Sequence, residues 1–317
     1  MIKVISPGLL TTVQDGGRYG YQQFGVPVCG AMDLWSLALA NILVDNEQDE
    51  AALEITFLGP ALEFSDRCVF AICGGEFDAK LDGMEIENGR AYTALPGNVL
   101  SIGAVRSGSR AYLAVAGGFV VPEVLGSRST YIKGGFGGYE GRRLKKDDVL
   151  KTGSTVGWLP FMSARKIDEK LLRYPHEDRA VRVVLGPQLE RFSQRGIETF
   201  LESEYKVTDE NDRMGYRLEG REIEYQKGCD GNIISDGIVM GAVQVPSGKP
   251  IIMMADRQTT GGYSKIATVI SADLPLLGQK KAGDPVRFEA VEWRDAIAIA
   301  KKQQKLLNQI DFRHEIW

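Results

Sequence analysis

The sequence predicts a mainly β protein built from two similar units, each closed around its own core. Three observations support this fold class. The 317 residues suffice for about two domains of ordinary size. Most apolar segments are short, rich in Val, Ile, Phe, Tyr and Thr, and bounded by turn residues. The segment LGPALEFS, which begins at Leu58, recurs as LGPQLERFS from Leu185, and this self-similarity indicates a duplication.

Strands are predicted in both halves of the chain, and helices at three places. The clearest strand segments are VFAIC, RAYLAVAGGF, VRVVLG, KPIIMMA and KIATVIS. Asp33 is a suitable N-cap for a helix over LWSLALANILV, and EAVEWRDAIAIAKKQQKLLNQI has helical periodicity near the C-terminus. We also expect a short helix at PQLERFSQ, with Pro187 in its first turn.

The two copies differ by one long insertion. Both copies contain a Leu-Gly pair, at Gly126 and Gly278, followed by a Lys-Lys pair. Between these pairs the first copy carries SRSTYIKGGFGGYEGRRL, where the second has only Gln279. A surface loop tolerates such an insertion, whereas a core strand does not. GGFGG is not followed by GK[ST], so we interpret it as a flexible turn and not a phosphate-binding loop, with a mobile lid as the alternative. The predicted domains are residues 1–160 and 181–317, joined by a charged linker over 161–180.

Composition excludes several classes of protein. Lys and Arg number 38 and Asp and Glu 42, giving a net charge of -4 without a basic stripe, so we expect no nucleic-acid partner. The first residues lack the features of a signal peptide, and no apolar run approaches the roughly 18 residues of a membrane span. We therefore expect a cytoplasmic protein without a membrane partner. The four cysteines form no CxxC pair, which favours reduced thiols.

The scarcity of histidine limits the possible chemistry. The chain contains only His176, in the predicted linker, and His314, near the C-terminus. This argues against a Ser-His-Asp or Cys-His mechanism, and no histidine-rich metal spacing such as HExxH is present. Proton transfer would fall to carboxylates, tyrosines or lysines, and we predict no metal site on this chain.

Four polar clusters lie between apolar segments, and we expect them to share one cleft. Arginines bind a carboxylate or phosphate bidentately, while a neighbouring aspartate acts as a base or holds an amide N–H. The alternative interpretation stays open, because Asp-Gly pairs are common in hairpin turns and Arg–Asp pairs often only fix loops. The clusters are Thr12, Gln14, Asp15 and Arg18; Ser127, Arg128, Ser129 and Thr130; Asp212 and Arg213; and Asp236, Gln244, Asp256, Arg257 and Gln258.

Several long motifs resemble one known family across nearly the whole chain. They include TTVQDGGRYGYQQFGVP, LGSRSTYIKGGFGG, DRMGYRLEG and SDGIVMGAVQVPSGKPIIMMADRQTTGGY. The sequence is similar to the family that comprises the C-subunit of prokaryotic 5-oxoprolinase, allophanate hydrolase subunit 2-like proteins, the biotin-dependent carboxyltransferase domain of urea amidolyase, and Kip antagonist proteins. The resemblance implies two tandem cyclophilin-like β-barrel domains, to which the chain adds a few helices, including one at the C-terminus.

The resemblance also implies an activity, partners and site residues. The C-subunit of a 5-oxoprolinase works with an A-subunit and a Kip inhibitor-like B-subunit, and ATP, expected with Mg²⁺, drives opening of 5-oxo-L-proline to L-glutamate. Part of the ATP site is expected on the B-subunit. The predicted catalytic residues are Asp15, Asp236 and Asp256. The predicted substrate-binding residues are Thr12, Gln14, Arg18, Arg128, Ser129, Arg213, Gln244, Arg257 and Gln258.

Two other functions of this family stay open. In the first, carboxybiotin on another polypeptide gives its carboxyl group to a urea-like nitrogen. The dipeptide Met-Lys does not occur in this chain, so we expect no covalently attached biotin here. In the second, the protein is a regulatory binding module that antagonises a histidine-kinase inhibitor.

Overall fold

Packing divides the chain into two compact units. In this computed structural model the described residues are 1–154, 162–163, 165–174, 179–310 and 312. The first unit comprises Met1–Arg18, Cys29–Tyr174 and Leu307–Trp317, and the second comprises Tyr19–Val28 and Pro175–Leu306. Each unit is therefore discontinuous in sequence. Within the described residues, no helix is both long and apolar enough to cross a membrane.

The first unit is a β-sheet that curves into a barrel, with one long helix on its outer face. The described strands follow the order β2-β3-β8-β4-β1-β10-β9, and β5 joins β8, β7 and β6. The strands are β1 (Ile2–Ser6), β2 (Leu10–Gln14), β3 (Ala52–Thr56), β4 (Ala61–Phe64), β5 (Cys68–Leu81), β6 (Met84–Glu85), β7 (Ala91–Ala94), β8 (Val99–Val115), β9 (Phe119–Val120) and β10 (Val149–Thr152). The helices are α1 (Leu34–Leu43) and α2 (Glu169–Arg173).

The two faces of this sheet are buried against different neighbours. Because successive strand residues point to opposite faces, Leu53 and Ile55 of β3 enter the barrel core, where they join Phe64 and Phe70. Glu54 points to the other face. Helix α1 covers that face by packing against β5 and β8, so all five residues of β3 are buried. A polar layer thus lies beneath α1, outside the apolar core.

Helix α1 begins where the sequence predicts. Asp33 is its N-cap, and the Asp33 carboxylate accepts hydrogen bonds from the Ser36 amide at 2.9 Å and the Ser36 hydroxyl at 2.7 Å. Part of the predicted linker packs in the first unit as well. The Trp35 indole N–H donates to the Leu171 carbonyl at 2.9 Å, and Leu172 lies against Gly89. Residue 161 and His176 lie outside the described residues, as does His314.

The second unit is also barrel-like, with a separate two-stranded ribbon. Its main sheet has the order β19-β12-β13-β16-β15-β18-β11-β20 in the part of the chain that the structure describes, and β14 pairs with β17. The strands are β11 (Val181–Leu185), β12 (Tyr205–Val207), β13 (Gly215–Glu219), β14 (Asn232–Gly237), β15 (Ala242–Gln244), β16 (Ile251–Met253), β17 (Thr260–Tyr263), β18 (Lys265–Val269), β19 (Pro285–Val286) and β20 (Phe288–Ala290). The helices are α3 (Gln194–Glu202), α4 (Leu274–Gly278) and α5 (Trp293–Gln309), and the last residues of α5, from Leu307, belong to the first unit.

The prediction of a mainly β fold with two barrel-like units and a C-terminal helix is confirmed. The repeated LGP segments nevertheless differ locally. Pro60 leads into strand β4, whereas Pro187 leads into a 3-10 turn at Leu189–Arg191. The predicted short helix at PQLERFSQ is present as the 3-10 helix Leu189–Arg191. The α-helix starts later, at Gln194, with the Ser193 hydroxyl accepting from the Gly196 amide at 3.0 Å.

Candidate functional site

The Asp15 carboxylate organises the first predicted cluster. It follows strand β2 directly and accepts hydrogen bonds from the Gly17 amide at 2.9 Å, the Ser127 hydroxyl at 2.7 Å, the Arg128 amide at 2.5 Å and the Ser129 hydroxyl. Four donors therefore surround one buried carboxylate. The opening stretch and the insertion meet within the first unit, and Asp15 fixes the backbone of the inserted segment.

Arg18 is fully buried and contacts the same segment from another side. Its Nε donates to the Val124 carbonyl at 2.8 Å, and its Nη2 donates to the Ser129 carbonyl at 2.9 Å. The Phe136 ring lies over the guanidinium, with 5.0 Å from Cζ to the ring centroid. The arginine thus holds the Val124 and Ser129 carbonyls together.

Gln14 anchors the next residue of the inserted segment. Its Nε2 donates to the Thr130 carbonyl at 3.2 Å and to the Thr12 hydroxyl at 3.1 Å. Thr130 in turn is tied to β2, because its amide and its hydroxyl both donate to the Val13 carbonyl, at 3.0 and 2.9 Å. All four of these residues are buried.

The insertion departs from the surface loop that we expected. Ser127, Ser129 and Thr130 are almost fully buried. A Cβ atom added to Gly137 would lie 2.1 Å from the Ser129 carbonyl oxygen, and one added to Gly138 would lie 1.9 Å from the Thr130 hydroxyl. The expectation of a loose turn is therefore wrong for this part of GGFGG, because its glycines permit close packing against the Ser129–Thr130 backbone.

Arg128 is the most exposed predicted residue of the first unit. Its backbone amide binds Asp15, but its guanidinium points elsewhere and contacts the Glu50 carboxylate at 3.1 Å. The Arg128 side chain is 37% exposed and that of Glu50 27%. Both members of the pair are accessible, so a ligand carboxylate or phosphate can compete with Glu50 for this arginine.

A buried network that includes Glu54 and Tyr112, neither of them a predicted site residue, lies on the α1-covered face of the sheet. The Tyr112 hydroxyl donates to Glu54 Oε2 at 2.7 Å and accepts from the Asp33 amide at 2.8 Å, while the Met32 amide donates to the same Glu54 oxygen at 2.9 Å. Arg110 lies 3.9 Å from the other Glu54 oxygen. Burial, followed by the charge of Glu54, raises the pKa of Tyr112 well above its usual range.

This network reaches the Asp15 turn through the backbone. Glu54 and Tyr112 fix Met32 and Asp33, and the adjacent Ala31 amide donates to the Asp15 carbonyl at 3.0 Å. A signal for it existed in the sequence. ALEIT and RAYLAV each place a polar residue inside an apolar strand, which is typical of a strand buried on both faces with one polar contact.

In the second unit, Arg213 and Asp256 form a buried bidentate pair. Arg213 Nε donates to Asp256 Oδ2 at 3.0 Å and Nη2 donates to Oδ1 at 2.8 Å, with both side chains about one-tenth exposed or less. The backbone supports the pair, because the Asp256 amide donates to the Arg213 carbonyl at 2.7 Å. The pair connects the turn before β13 to the loop after β16.

The neighbouring predicted residues differ in accessibility. Arg257 is buried and donates to the Ile238 and Met254 carbonyls, each at 3.2 Å. Gln244 is buried and donates to the Tyr263 carbonyl at 3.2 Å. Gln258 is exposed. Of these three side chains, only that of Gln258 reaches solvent freely.

Asp236 lies on the ribbon and pairs with Lys265, which was not among the predicted site residues. The Lys265 side chain is 4% exposed, and its Nζ donates to Asp236 Oδ2 at 2.8 Å and to the Gly237 carbonyl at 3.2 Å. The Asp236 side chain is 58% exposed. The hydrogen bond from Lys265 lowers the pKa of Asp236 below its ordinary value. A solvent-facing carboxylate is therefore held in its ionised form beside a buried ammonium group.

The described residues of the second unit also line an open pocket of about 690 Å³. Arg195, Arg221, Tyr225 and Gly248 are among its lining residues, and none of the predicted site residues lines it. The four polar clusters thus divide between the units: the first two meet in the first unit, and the others lie in the second. That all four share one cleft stays a prediction.

Comparison with known proteins identifies the family. Residues 24–290 match the family described as carboxyltransferase domain, subdomain A and B. The chain belongs to this family. The C-subunit of 5-oxoprolinase from Escherichia coli (strain K12) is 38% identical over 314 residues, which cover 99% of this chain and 98% of that protein. The C-subunit of 5-oxoprolinase from Haemophilus influenzae is 35% identical over 317 residues, covering 98% of this chain and 97% of that protein.

Carboxyltransferase-family members also occur within larger proteins. The crystal structure of the K. lactis urea amidolyase matches 97% of this chain with a TM-score of 0.90 and 33% identity, but this region is only 20% of that protein. The family match begins at residue 24, after the Asp15 turn, whereas the E. coli relative covers nearly all of the chain. The alignment with the full-length E. coli relative therefore includes the first polar cluster, which lies before the start of the family match.

Proposed function

We propose that this chain is the C-subunit of an ATP-dependent 5-oxoprolinase, which opens the lactam of 5-oxo-L-proline to give L-glutamate. The supporting observation is its 38% identity to the E. coli C-subunit over nearly the full length of both chains. Agreement in length matters here, because the urea amidolyase match accounts for only a fifth of a much larger protein.

The proposed enzyme acts as a complex with an A-subunit and a Kip inhibitor-like B-subunit, and this chain alone is inactive. ATP with Mg²⁺ supplies the driving force: the unreactive lactam carbonyl oxygen takes the γ-phosphoryl group and ADP leaves. Attack of water on the activated carbon then breaks the C–N bond, and a second water releases phosphate. We place the ATP site partly on the B-subunit. The full-length relatives are both named as one subunit of a 5-oxoprolinase, which supports a multi-subunit assembly.

The contacts suggest different roles for the three predicted acids. The carboxylates of Asp15 and Asp256 are already occupied by internal donors, so we propose that they position loops. Asp236 is accessible and ionised beside Lys265, so we propose that it receives a proton during the reaction. Its lowered pKa makes it a weak base, and the Lys265 ammonium is positioned to stabilise negative charge that develops nearby.

An omission experiment tests the proposal. This chain and the purified A- and B-subunits are mixed with 5-oxo-L-proline and ATP, and glutamate and ADP are measured with each protein omitted in turn. We expect product only from the complete mixture. Arg217→Ala, on the exposed side of β13, serves as the matched control and leaves turnover unchanged. A complete, well-folded assembly without glutamate release would contradict the proposal, as would full activity without this chain.

A second candidate is carboxyl transfer to a urea-like nitrogen, with biotin carried by another polypeptide. The K. lactis urea amidolyase match, with a TM-score of 0.90, favours it. The same mixture supplied with urea, bicarbonate and ATP distinguishes the two, because carboxyl transfer requires a biotinylated partner. Avidin inhibits carboxyl transfer and leaves lactam opening unaffected. If the mixture is inactive in both assays, regulatory binding becomes the favoured function.

A further inference from the structure

Two buried polar atoms of the opening stretch have no hydrogen-bond partner among the described residues. They are Oε1 of Gln14 and Nη1 of Arg18, and both side chains are 0% exposed. Buried polar atoms without partners are rare in native proteins, and each one requires an explanation such as a bound ligand or an ordered water. Here the two occur four residues apart in one turn.

The amide orientation of Gln14 is fixed by its neighbours. The Thr130 carbonyl can only accept a hydrogen bond, so the Gln14 Nε2 must face it, as it does at 3.2 Å. Exchanging the two amide atoms would place two acceptors against each other. The unpartnered atom of Gln14 is therefore an acceptor, and the unpartnered atom of Arg18 is a donor.

Both side chains are anchored to neighbouring points of the backbone. Arg18 Nη2 binds the carbonyl of Ser129 at 2.9 Å, and Gln14 Nε2 binds the carbonyl of Thr130. Consecutive Cα atoms are about 3.8 Å apart. The two side chains are thus both held to the Ser129–Thr130 backbone.

The charge balance around Arg18 favours an anion. Its bonded N–H groups face only backbone carbonyls, and no carboxylate of the described residues lies within 4.0 Å of the guanidinium. The neighbouring Asp15 carboxylate is occupied by its own four donors. A buried guanidinium with a free N–H and no carboxylate in direct contact can bind one, and carboxylates and phosphates match its geometry.

We propose that Gln14 and Arg18 form a subsite for a molecule that carries an amide N–H beside a carboxylate. Arg18 Nη1 donates to a carboxylate oxygen, and Gln14 Oε1 accepts the amide N–H. Resting on the proposed function, this assigns the subsite to 5-oxo-L-proline, whose ring N–H and carboxylate are attached to adjacent atoms. Urea has no carboxylate, so the subsite does not suit it.

Entry to the subsite involves the glycine-rich segment. The Phe136 ring covers the Arg18 guanidinium, and a Cβ added to Gly137 would lie 2.9 Å from Arg18 Nη2. Lys133–Gly135, on the outer side of this segment, are exposed. A ligand reaches Nη1 when Phe136 moves aside, and its carboxylate then replaces the ring as the partner of the guanidinium.

Analogue binding in the assembled enzyme tests the subsite. The probes are 5-oxo-L-proline, 2-pyrrolidinone, which lacks the carboxylate, and 5-oxotetrahydrofuran-2-carboxylate, which lacks the N–H. We expect Arg18→Met to weaken binding of 5-oxo-L-proline about 10- to 100-fold and to leave 2-pyrrolidinone unchanged. Gln14→Met should weaken 5-oxo-L-proline about 3- to 10-fold and leave the oxygen analogue unchanged. Arg217→Met is the control.

Equal losses for all three probes would overturn the subsite, because they would show that the variants act only through the fold. Circular dichroism checks that the variants fold, and Arg18→Lys, which keeps the charge, should retain more affinity than Arg18→Met. If neither variant folds, a crystal structure of the wild-type chain with saturating 5-oxo-L-proline decides. A carboxylate on Nη1 supports the subsite, and ordered water alone there overturns it.

The outcome is separable from that of the omission experiment. Glutamate release with equal analogue losses leaves the proposed function intact and removes the subsite. If 5-oxo-L-proline binds selectively and its binding depends on Arg18, but the mixture releases no glutamate, the subsite is supported and the proposed catalytic function is contradicted.

Discussion

Asp15 and Ser129 lie 114 positions apart in the sequence and hydrogen-bond to each other twice. The Ser129 hydroxyl donates to the Asp15 carboxylate and accepts from the Asp15 amide at 3.0 Å. This reciprocal contact fixes the end of β2 to the inserted segment. The segment in turn supplies the carbonyls that hold Gln14 and Arg18, so the geometry of the whole first cluster depends on the contact.

Asp15→Asn should destabilise the protein by about 2 kcal/mol, because the new NH₂ group meets an N–H or O–H donor in every orientation. Urea denaturation measures the loss of stability. The Asn oxygen keeps the most donors at the Oδ1 position, so the NH₂ group takes the Oδ2 position. Amide exchange by mass spectrometry should therefore be faster at Arg128, whose N–H loses its acceptor. Asp209→Asn, on an exposed turn, is the control and should change neither quantity. Unchanged exchange at Arg128 would contradict the assigned role.

Gly138→Ala should cost more stability than Gly135→Ala. Both glycines have left-handed backbone, with φ of 54° and 67°, so both substitutions carry a backbone penalty of about 1–2 kcal/mol. Only the Gly138 site lacks space, since its Cβ would overlap the Thr130 hydroxyl, whereas nothing lies within 4 Å of the corresponding Gly135 position. Overpacking adds about 1–3 kcal/mol. Equal melting temperatures for the two variants would show that the segment around Gly138 accommodates the added methyl group without further loss of stability.

Lys265→Met should raise the pKa of Asp236 towards the ordinary aspartate value of about 3.9, because it removes the hydrogen bond and charge that lower it. NMR titration of labelled aspartate carboxyls measures the change. Asp230 provides an internal control, since its own pKa is lowered mainly by hydrogen bonds from Asn232. A shift of both residues would indicate a general rearrangement of the ribbon and not the loss of one ion pair.

The Asp273 carboxylate should make the stability of the second unit depend on pH, with stability lost in acid. Burial alone would raise its pKa, but hydrogen bonds from Arg179 and Arg182 outweigh burial and lower it. The folded protein therefore binds fewer protons than the unfolded chain, and stability falls as pH drops through about 3.9 towards the folded pKa. Asp273→Asn should cost about 3 kcal/mol at pH 7 and progressively less below pH 4.

Urea denaturation of wild type and Asp273→Asn at several pH values between 3 and 7 checks this dependence. Glu204→Gln, an exposed substitution, is the matched control and should follow the wild-type curve. A constant difference between wild type and Asp273→Asn at every pH would show that the carboxylate stabilises the fold by its shape alone and not by its charge.

Local elements were predictable from the order of the residues. Strand composition predicted segments such as VRVVLG and KIATVIS, and Asp33 predicted the start of α1, because strand propensity and helix capping depend on neighbouring residues. The two β units also followed from the internal repeat. Their boundary residues did not, since Tyr19–Val28 packs with the second unit although residues on both sides of it belong to the first.

The partners of the polar residues depend on the folded chain. The sequence predicted Asp15, Arg18 and the serines as site residues. It did not predict their partners, because their hydrogen bonds join residues more than 100 positions apart and no local pattern encodes such a pairing. Glu54 was hidden because β3 is buried on both faces, so apolar and polar residues do not alternate visibly between core and solvent. Helix α1 packs on the outer face of the sheet and buries it. The polar groups on that face therefore need hydrogen-bond partners within the protein, which the buried network supplies.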